Sequence, residues 1–290
     1  MPNEHIVILS STADRDIFPE NRGGAFVNKL QNEIILDSNL SHEVALMDVF
    51  FPKDYFGIIK DDPTCAITVH VTSAVLKGGV EVYETASYFS YIPRTNILAG
   101  DVQNIVDNVN TELNEVFTSN AFFLKTFNVL PYDTDADRVS LNLLQGVSCG
   151  VEGPACAIKL GFGERIASIL GFESGEPYQF YSAASEGDHK TGRLISPFPP
   201  SPTAGLNYVM IYSDIVQRTP FGSRMVNILD IVNFDDKHTK SHHNTIYYPL
   251  NTNNLSSISI KLADQNGREI IFKKDSSVIC LLRIRPKAMV

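Results

Sequence analysis

The sequence predicts a mainly β protein: an antiparallel β-sandwich built from the two ends of the chain, with an α/β segment inserted between them. Three observations carry this. The last stretch, Thr245–Arg285, alternates polar and apolar side chains between turns. The first part, from His5 to Tyr83, repeats that pattern of short strands and turns. Helical periodicity is found in the middle, chiefly from Asp101 to Phe117. The expected limits are 1–83 plus 206–290 for the sandwich and 84–205 for the insertion.

Taken in order, His5–Leu9 reads as a strand and Ser10–Asn21, polar and holding Pro19, as a loop. Arg22-Gly23-Gly24 marks a bend before Phe26–Leu30 and Glu33–Leu36, one strand with an irregular centre. Glu43–Phe51 is a strand closed by Pro52, which has no amide to give to a ladder. Ala66–Val71 alternates cleanly, Lys77-Gly78-Gly79 turns, and Val80–Tyr83 returns. Val102, Ile105, Val106, Val109, Leu113 and Val116 then form one apolar helical stripe, with Asp101 placed to cap it. Phe127–Leu130 and Val139–Leu143 read as strands, and Glu164–Leu170 as a short helix ended by Gly171 in the left-handed conformation. Glu173–Gly205, rich in Ser, Gly and Pro, is a long loop.

Strands resume with Asn207–Val216 and Met225–Val232. Asp235–Asn244 is a polar loop containing histidines. Three antiparallel terminal strands follow: Ser257–Leu262, Arg268–Phe272 after the Asp264–Gly267 reversal, and Val278–Arg285. The apolar run that opens the last strand predicts burial on both of its faces. The three strands need a second sheet to cover them.

Composition excludes several classes. With 290 residues, 43% of them hydrophobic, the chain is long enough to bury a core without staples. A net charge of -9 argues against a phosphate-binding surface, so no direct nucleic-acid contact is expected. Cys65, Cys149, Cys156 and Cys280 are scattered, which reads as reduced thiols in an intracellular setting. No apolar run approaches the roughly 20 residues of a bilayer span, and Met1–Glu4 does not open a signal peptide.

Catalytic signatures are weak. Gly161-Phe162-Gly163-Glu164-Arg165 lacks the third glycine of a dinucleotide loop and the Gly-Lys-Ser/Thr of a P-loop, so a turn before a helix is the preferred reading. His238, His242 and His243, beside Asp235 and Asp236, are low-weight candidates for a metal site. Thr239, Lys240 and Ser241 between them promise neither helix nor rigidity, and a solvated loop is preferred. Cys149 and Cys156 do not have zinc-knuckle spacing. The expectation is a non-enzyme with no cofactor.

The ordered set of elements resembles a known family. The strand His5–Leu9, then Phe18-Pro19-Glu20-Asn21, Phe26–Leu30, Ile34–Leu36 and Glu43–Val49 ending in Phe51-Pro52, is similar to the start of penton proteins. These are the vertex capsid proteins of Polinton/Maverick elements, adintoviruses and related virophages. Val109-Asn110 within the central helix and Ile169-Leu170-Gly171-Phe172 resemble their central elements. Tyr208–Val216, Gly222 and Asn227–Val232 resemble their long strand pair. Tyr248-Pro249-Leu250, Ile258–Leu262, Asp264–Gly267, Phe272 and Leu281-Leu282-Arg283 resemble their terminal strands. Arg22-Gly23-Gly24 and the proline-rich loop from Glu173 depart from the pattern.

The resemblance implies a single jelly roll with an outward-facing insertion. It implies a homopentamer at the fivefold vertex of an icosahedral virion, assembled in the host cytoplasm or nucleus. Partners would be further copies of the chain and the double jelly-roll major capsid protein, with minor cement proteins or a host receptor as additional ones. The alternative is a stand-alone β-sandwich module for a receptor or carbohydrate. In that reading Tyr88, Phe89 and Tyr91, with Tyr178, Phe180 and Tyr181, would stack on sugar rings. A third reading, a hydrolase, needs a metal in the His238–His243 loop.

Overall fold

The structure is a computed structural model. It describes residues 4–52, 54–77, 80–118, 127–128, 132–133, 135–143, 156–175, 178–182, 193–201, 203, 206–233, 239–241 and 245–287. The chain divides into two compact units, Met1–Phe56 with Leu206–Val290, and Gly57–Gly205.

The first unit is a jelly-roll sandwich of two antiparallel sheets. In one, His5–Ser10 lies beside Ile279–Pro286, which lies beside His42–Phe50. Thr239–Ser241 and Tyr248–Pro249 line the far edge of His42–Phe50. In the other, the order is Ile228–Asn233, Tyr208–Ser213, Asn254–Ala263, Ala25–Ile35. The first strand thus pairs with the last, and the second with the last but one. Alternation decides which side chains face inward. Val7, Leu9, Val44, Leu46, Cys280, Leu282 and Ile284 are buried from the first sheet. Phe26, Val209, Ile211, Ile258, Ile260 and Leu262 are buried from the second. Each such aliphatic or aromatic side chain contributes about 1.5–3 kcal/mol.

The C-terminal stretch differs from the sequence expectation. Asn254–Ala263 and Ile279–Pro286 belong to different sheets, and the segment between them makes only isolated bridges, Ala263 with Glu269 and Tyr55 with Phe272. Period-two patterning fixes a strand's faces but not its partners, so adjacent strands in sequence read as one sheet. The reversal after Ala263 is as expected. Gly267 has φ 78°, and the Asp264 carboxylate accepts the amides of Asn266 and Arg268, both at 2.9 Å. The Arg22-Gly23-Gly24 bend now has its reason. The Gly24 carbonyl accepts the Leu262 amide at 2.8 Å, and a Cβ on Gly24 would lie 2.0 Å from the Ile270 carbonyl oxygen. Arg22 donates to both carboxylate oxygens of Glu269, at 2.5 and 2.7 Å, and fastens the same crossing.

The second unit has its own core. One sheet runs Tyr178–Ser182, Cys156–Phe162, Ile67–Lys77, Val80–Tyr91. A smaller one sets Arg138–Leu143 between Arg193–Ile195 and Phe127–Asn128, with Tyr132–Asp133 also on Arg138–Leu143. Helix α1 (Val102–Thr118) buries Val102, Ile105, Val106, Val109 and Leu113, the apolar stripe read from the sequence. They join Ile166, Ile169 and Leu170 of α2 (Glu164–Leu170) and Ile67, Leu160 and Phe162 of the sheet in one cluster. Gly171 ends α2 in the left-handed conformation, φ 80°.

The limit expected at residue 83 is corrected by this division, which falls after Phe56. Ala66–Val71 and Val80–Tyr83 read as a sandwich hairpin, and in the structure they belong to the strands Ile67–Lys77 and Val80–Tyr91. Their third neighbour is Cys156–Phe162, a strand of the second unit, and Ile67 and Tyr91 are buried in that unit's core.

Glu112 on α1 is buried and accepts three hydrogen bonds: from the Tyr91 hydroxyl at 2.7 Å, the Arg94 amide at 2.9 Å and the Thr95 hydroxyl. Burial pushes its pKa up, but the donors outweigh it and hold the carboxyl below the ordinary value of 4.5. A depressed folded pKa gives stability that is complete above the ordinary value and is lost as pH falls through the folded one.

Two predictions follow from these contacts. Gly24→Ala should cost about 1–3 kcal/mol through the forced shift at Ile270, read as a lower denaturant midpoint. Glu112→Gln should cost roughly 1–3 kcal/mol and flatten the loss of stability of the second unit below about pH 4.5, read by thermal melts across the acid range. An unchanged acid limb would exclude this role for Glu112.

Candidate interaction surfaces

The sequence-predicted chemistry does not come together as a site. His238, His242 and His243, with Asp235 and Asp236, lie outside the described residues, as does Cys149. Among the described residues no cluster of His, Cys, Asp and Glu is able to hold a metal, and no helix is long and apolar enough to cross a membrane. Gly161-Phe162-Gly163 is a packing device. The Gly163 amide donates to the Ala66 carbonyl at 2.8 Å, and a Cβ there would meet the Thr64 carbonyl oxygen at 2.5 Å. Phe162 stacks on Phe172 with ring centroids 4.5 Å apart. Of the aromatic groups, Tyr91 is buried. Tyr88 and Phe89 lie on one edge strand of the larger second-unit sheet, and Tyr178, Phe180 and Tyr181 on the other.

What the first unit presents instead is two unlike outer faces. On the sheet that carries both chain ends, inward Val7 and Leu9 leave Ile6 and Ile8 outside, 69% and 71% exposed. Ile8 stands opposite Leu281 and Ser10 opposite Ile279, which in turn stands opposite Phe50. Phe50 is 46% exposed. Ile6, Ile8, Leu281, Ile279 and Phe50 therefore make an apolar band across three adjacent strands, which is not how a solvated sheet face is usually composed. Its rim is charged: Arg283 pairs with Glu4, and Arg285 with Glu43 at 2.8 Å while lying over the Tyr247 ring. Asp48, opposite Leu281, has no ion-pair partner among the described residues. The band was missed in the sequence because one isoleucine or phenylalanine on an outer position is ordinary. The signal was His5–Leu9, whose four apolar residues in a row do not alternate.

In the other sheet the outer face of the strand Asn254–Ala263 is wet, with Ser257, Ser259 and Lys261. Over it lies a cleft of about 870 Å³ between Tyr212, Ser259 and Lys261 on the sheet side and Met225, Val226 and Arg218 of the overlying loops. Its amide side chains are committed to the scaffold. Asn251 donates to the Asp214 carbonyl and Asn227 to the Val216 carbonyl, each at 2.5 Å, and Gln217 to the Leu250 carbonyl at 3.0 Å. Asp214 accepts the Ser259 amide at 2.9 Å, and burial against the sheet pushes its carboxyl pKa up. These bonds hold out a hairpin, Thr219–Phe221 with Arg224–Val226, turned by Gly222 at φ 58°. Its tip exposes Phe221 (43%) and Met225 (57%).

No protein-family model matches the chain. No curated protein matches it either. Among solved structures, the crystal structure of the mavirus penton protein is similar over 97% of this chain and 99% of that one, with a TM-score of 0.50 and 11% sequence identity. The fold is therefore penton-like: a jelly-roll β-sandwich with an inserted α/β segment.

The sandwich interior is closed to reagents. Burial pushes the Cys280 thiol up to about 12, and burial likewise raises that of Cys65 in the second unit. Neither should be alkylated by iodoacetamide at pH 8 in the native chain, as read by peptide mass spectrometry. Rapid native labelling of Cys280 would show that the terminal strand does not stay seated.

Proposed function

We propose that the chain is a structural capsid protein of the penton type. Five copies form a ring at an icosahedral fivefold vertex, in contact with a double jelly-roll major capsid protein, in virions assembled in the host cytoplasm or nucleus. The observation that supports this best is the match of the whole chain, sandwich and insertion together, to a penton structure over nearly the full length of both. The apolar outer band adds to it, because a lone binding module has no use for such a face on the sheet that carries its ends. The narrower kinship, with the vertex proteins of Polinton/Maverick elements, adintoviruses and virophages, rests on the ordered motifs of the sequence. In this reading the jelly-roll unit is the capsid-facing body, and Gly57–Gly205 faces outward, free to meet a host receptor.

Light scattering on the purified chain tests this. The expected result is a mass five times that of the protomer, with fivefold rings in negative stain. A strict monomer at high concentration, which also stays out of vertices when co-expressed with the major capsid protein, would overturn it.

A further inference from the structure

We propose that the Thr219–Val226 hairpin of one copy docks on the apolar band of the next copy, and that this contact is the repeating joint of the assembly. The inference rests on the ring reading above and names the surfaces that would make it.

Three features of the first unit lead to it. The band (Ile6, Ile8, Leu281, Ile279, Phe50) and Phe221 at the hairpin tip are both exposed and apolar. They belong to opposite outer sides of the same sandwich, since the hairpin walls a cleft over Tyr212, Ser259 and Lys261 of the other sheet. One copy therefore cannot cover its own band with its own hairpin, whereas a neighbour can. A contact between two different patches is heterologous, and repetition of it closes into a ring when the rotation per copy allows.

The charges match in sign. Arg224 stands opposite Phe221 in the hairpin, and Asp48 stands opposite Leu281 in the band. Among the described residues neither has an ion-pair partner within its own chain. Phe221 and Arg224, paired across the hairpin, share one of its faces, so with Phe221 seated on Ile8 and Leu281, Arg224 is carried toward Asp48. Such a pair sets register and orientation, while the aromatic anchor supplies affinity. The hairpin is suited to project them, because Asn227, Asn251 and Gln217 hold its base by side-chain hydrogen bonds to backbone carbonyls.

The experiment uses full-length variants at exposed positions, each first checked for an unchanged melt. Ile8→Glu breaks the band and Phe221→Glu breaks the hairpin's anchor. Each alone should weaken association at least tenfold in light scattering. Mixed together, the two preparations retain one intact band and one intact hairpin, and should stop at a 1:1 pair instead of a ring. Arg224→Asp should weaken assembly, and Asp48→Arg added to it should restore it. If the native chain forms rings and the variants do so equally well, the joint lies elsewhere and this inference falls while the ring reading stands. The same holds if the mixed variants give no pair. If the native chain is monomeric at every concentration, both fall together.

Discussion

The pairing of Ile279–Pro286 with both His5–Ser10 and His42–Phe50 is the constraint on which the sandwich depends. It sets Ile284 opposite both His5 and Val44, and so closes a loop containing nearly the whole sequence. Closure entropy grows only logarithmically with loop length, which keeps that cost bearable. The insertion lowers it further. Gly57–Gly205 carries its own buried cluster, built on α1, α2 and the sheet of Ile67–Lys77, so to the sandwich it is one folded link and not a free chain.

Long-range pairing needs its polar ends satisfied, and three buried polar residues do this. Ser11 donates its amide to the Val278 carbonyl and accepts the Val278 amide on its hydroxyl oxygen, each at 2.9 Å, which locks the two ends of the chain at the margin of the sheet. Asn28 lies in the other sheet, yet its side chain accepts the Ser10 amide at 2.7 Å and donates to the Ser10 carbonyl at 3.0 Å. Asn21 folds the intervening loop by bonds to Ala13 and Val27. Buried amides fully paired in this way select one arrangement, because any slip of register would orphan them. The loop that reads as merely polar is thus the clip between the sheets.

Local elements were legible because their physics is local. The stripe of α1, the Gly171 end of α2 and the Asp264–Gly267 reversal follow from periodicity and backbone preference at neighbouring residues. Partner choice was not legible. Ile67–Lys77 alternates as well as any sandwich strand, and only its pairing with Cys156–Phe162 assigns it to the second unit. Arg268–Phe272 has the composition of a strand, but the close approach of Gly24 to Ile270 makes it a crossing between sheets. The interaction surfaces were least legible. Their residues, such as Phe50 and Phe221, are of the same types as core residues and acquire meaning only from the side of the sheet on which they fall.

One apparent failure of the sequence reading carries information. Val278–Leu282 reads as a strand buried on both faces, and in the single chain only one face is covered: Cys280, Leu282 and Ile284 are inside, while Ile279 is exposed and Leu281 half-buried. His5–Leu9 behaves alike, apolar on both sides and covered on one. On the opposite sheet the equivalent outward positions of the central strand Asn254–Ala263 are Ser257, Ser259 and Lys261, so this sandwich has an ordinary way to finish a solvent-facing strand and does not use it here. A central strand composed for two dry faces, beside an edge strand composed in the same way, is written for an environment the isolated chain does not supply. Patterning and burial disagree here at a surface, which is where a sequence shaped by association is expected to break the rules of a monomer.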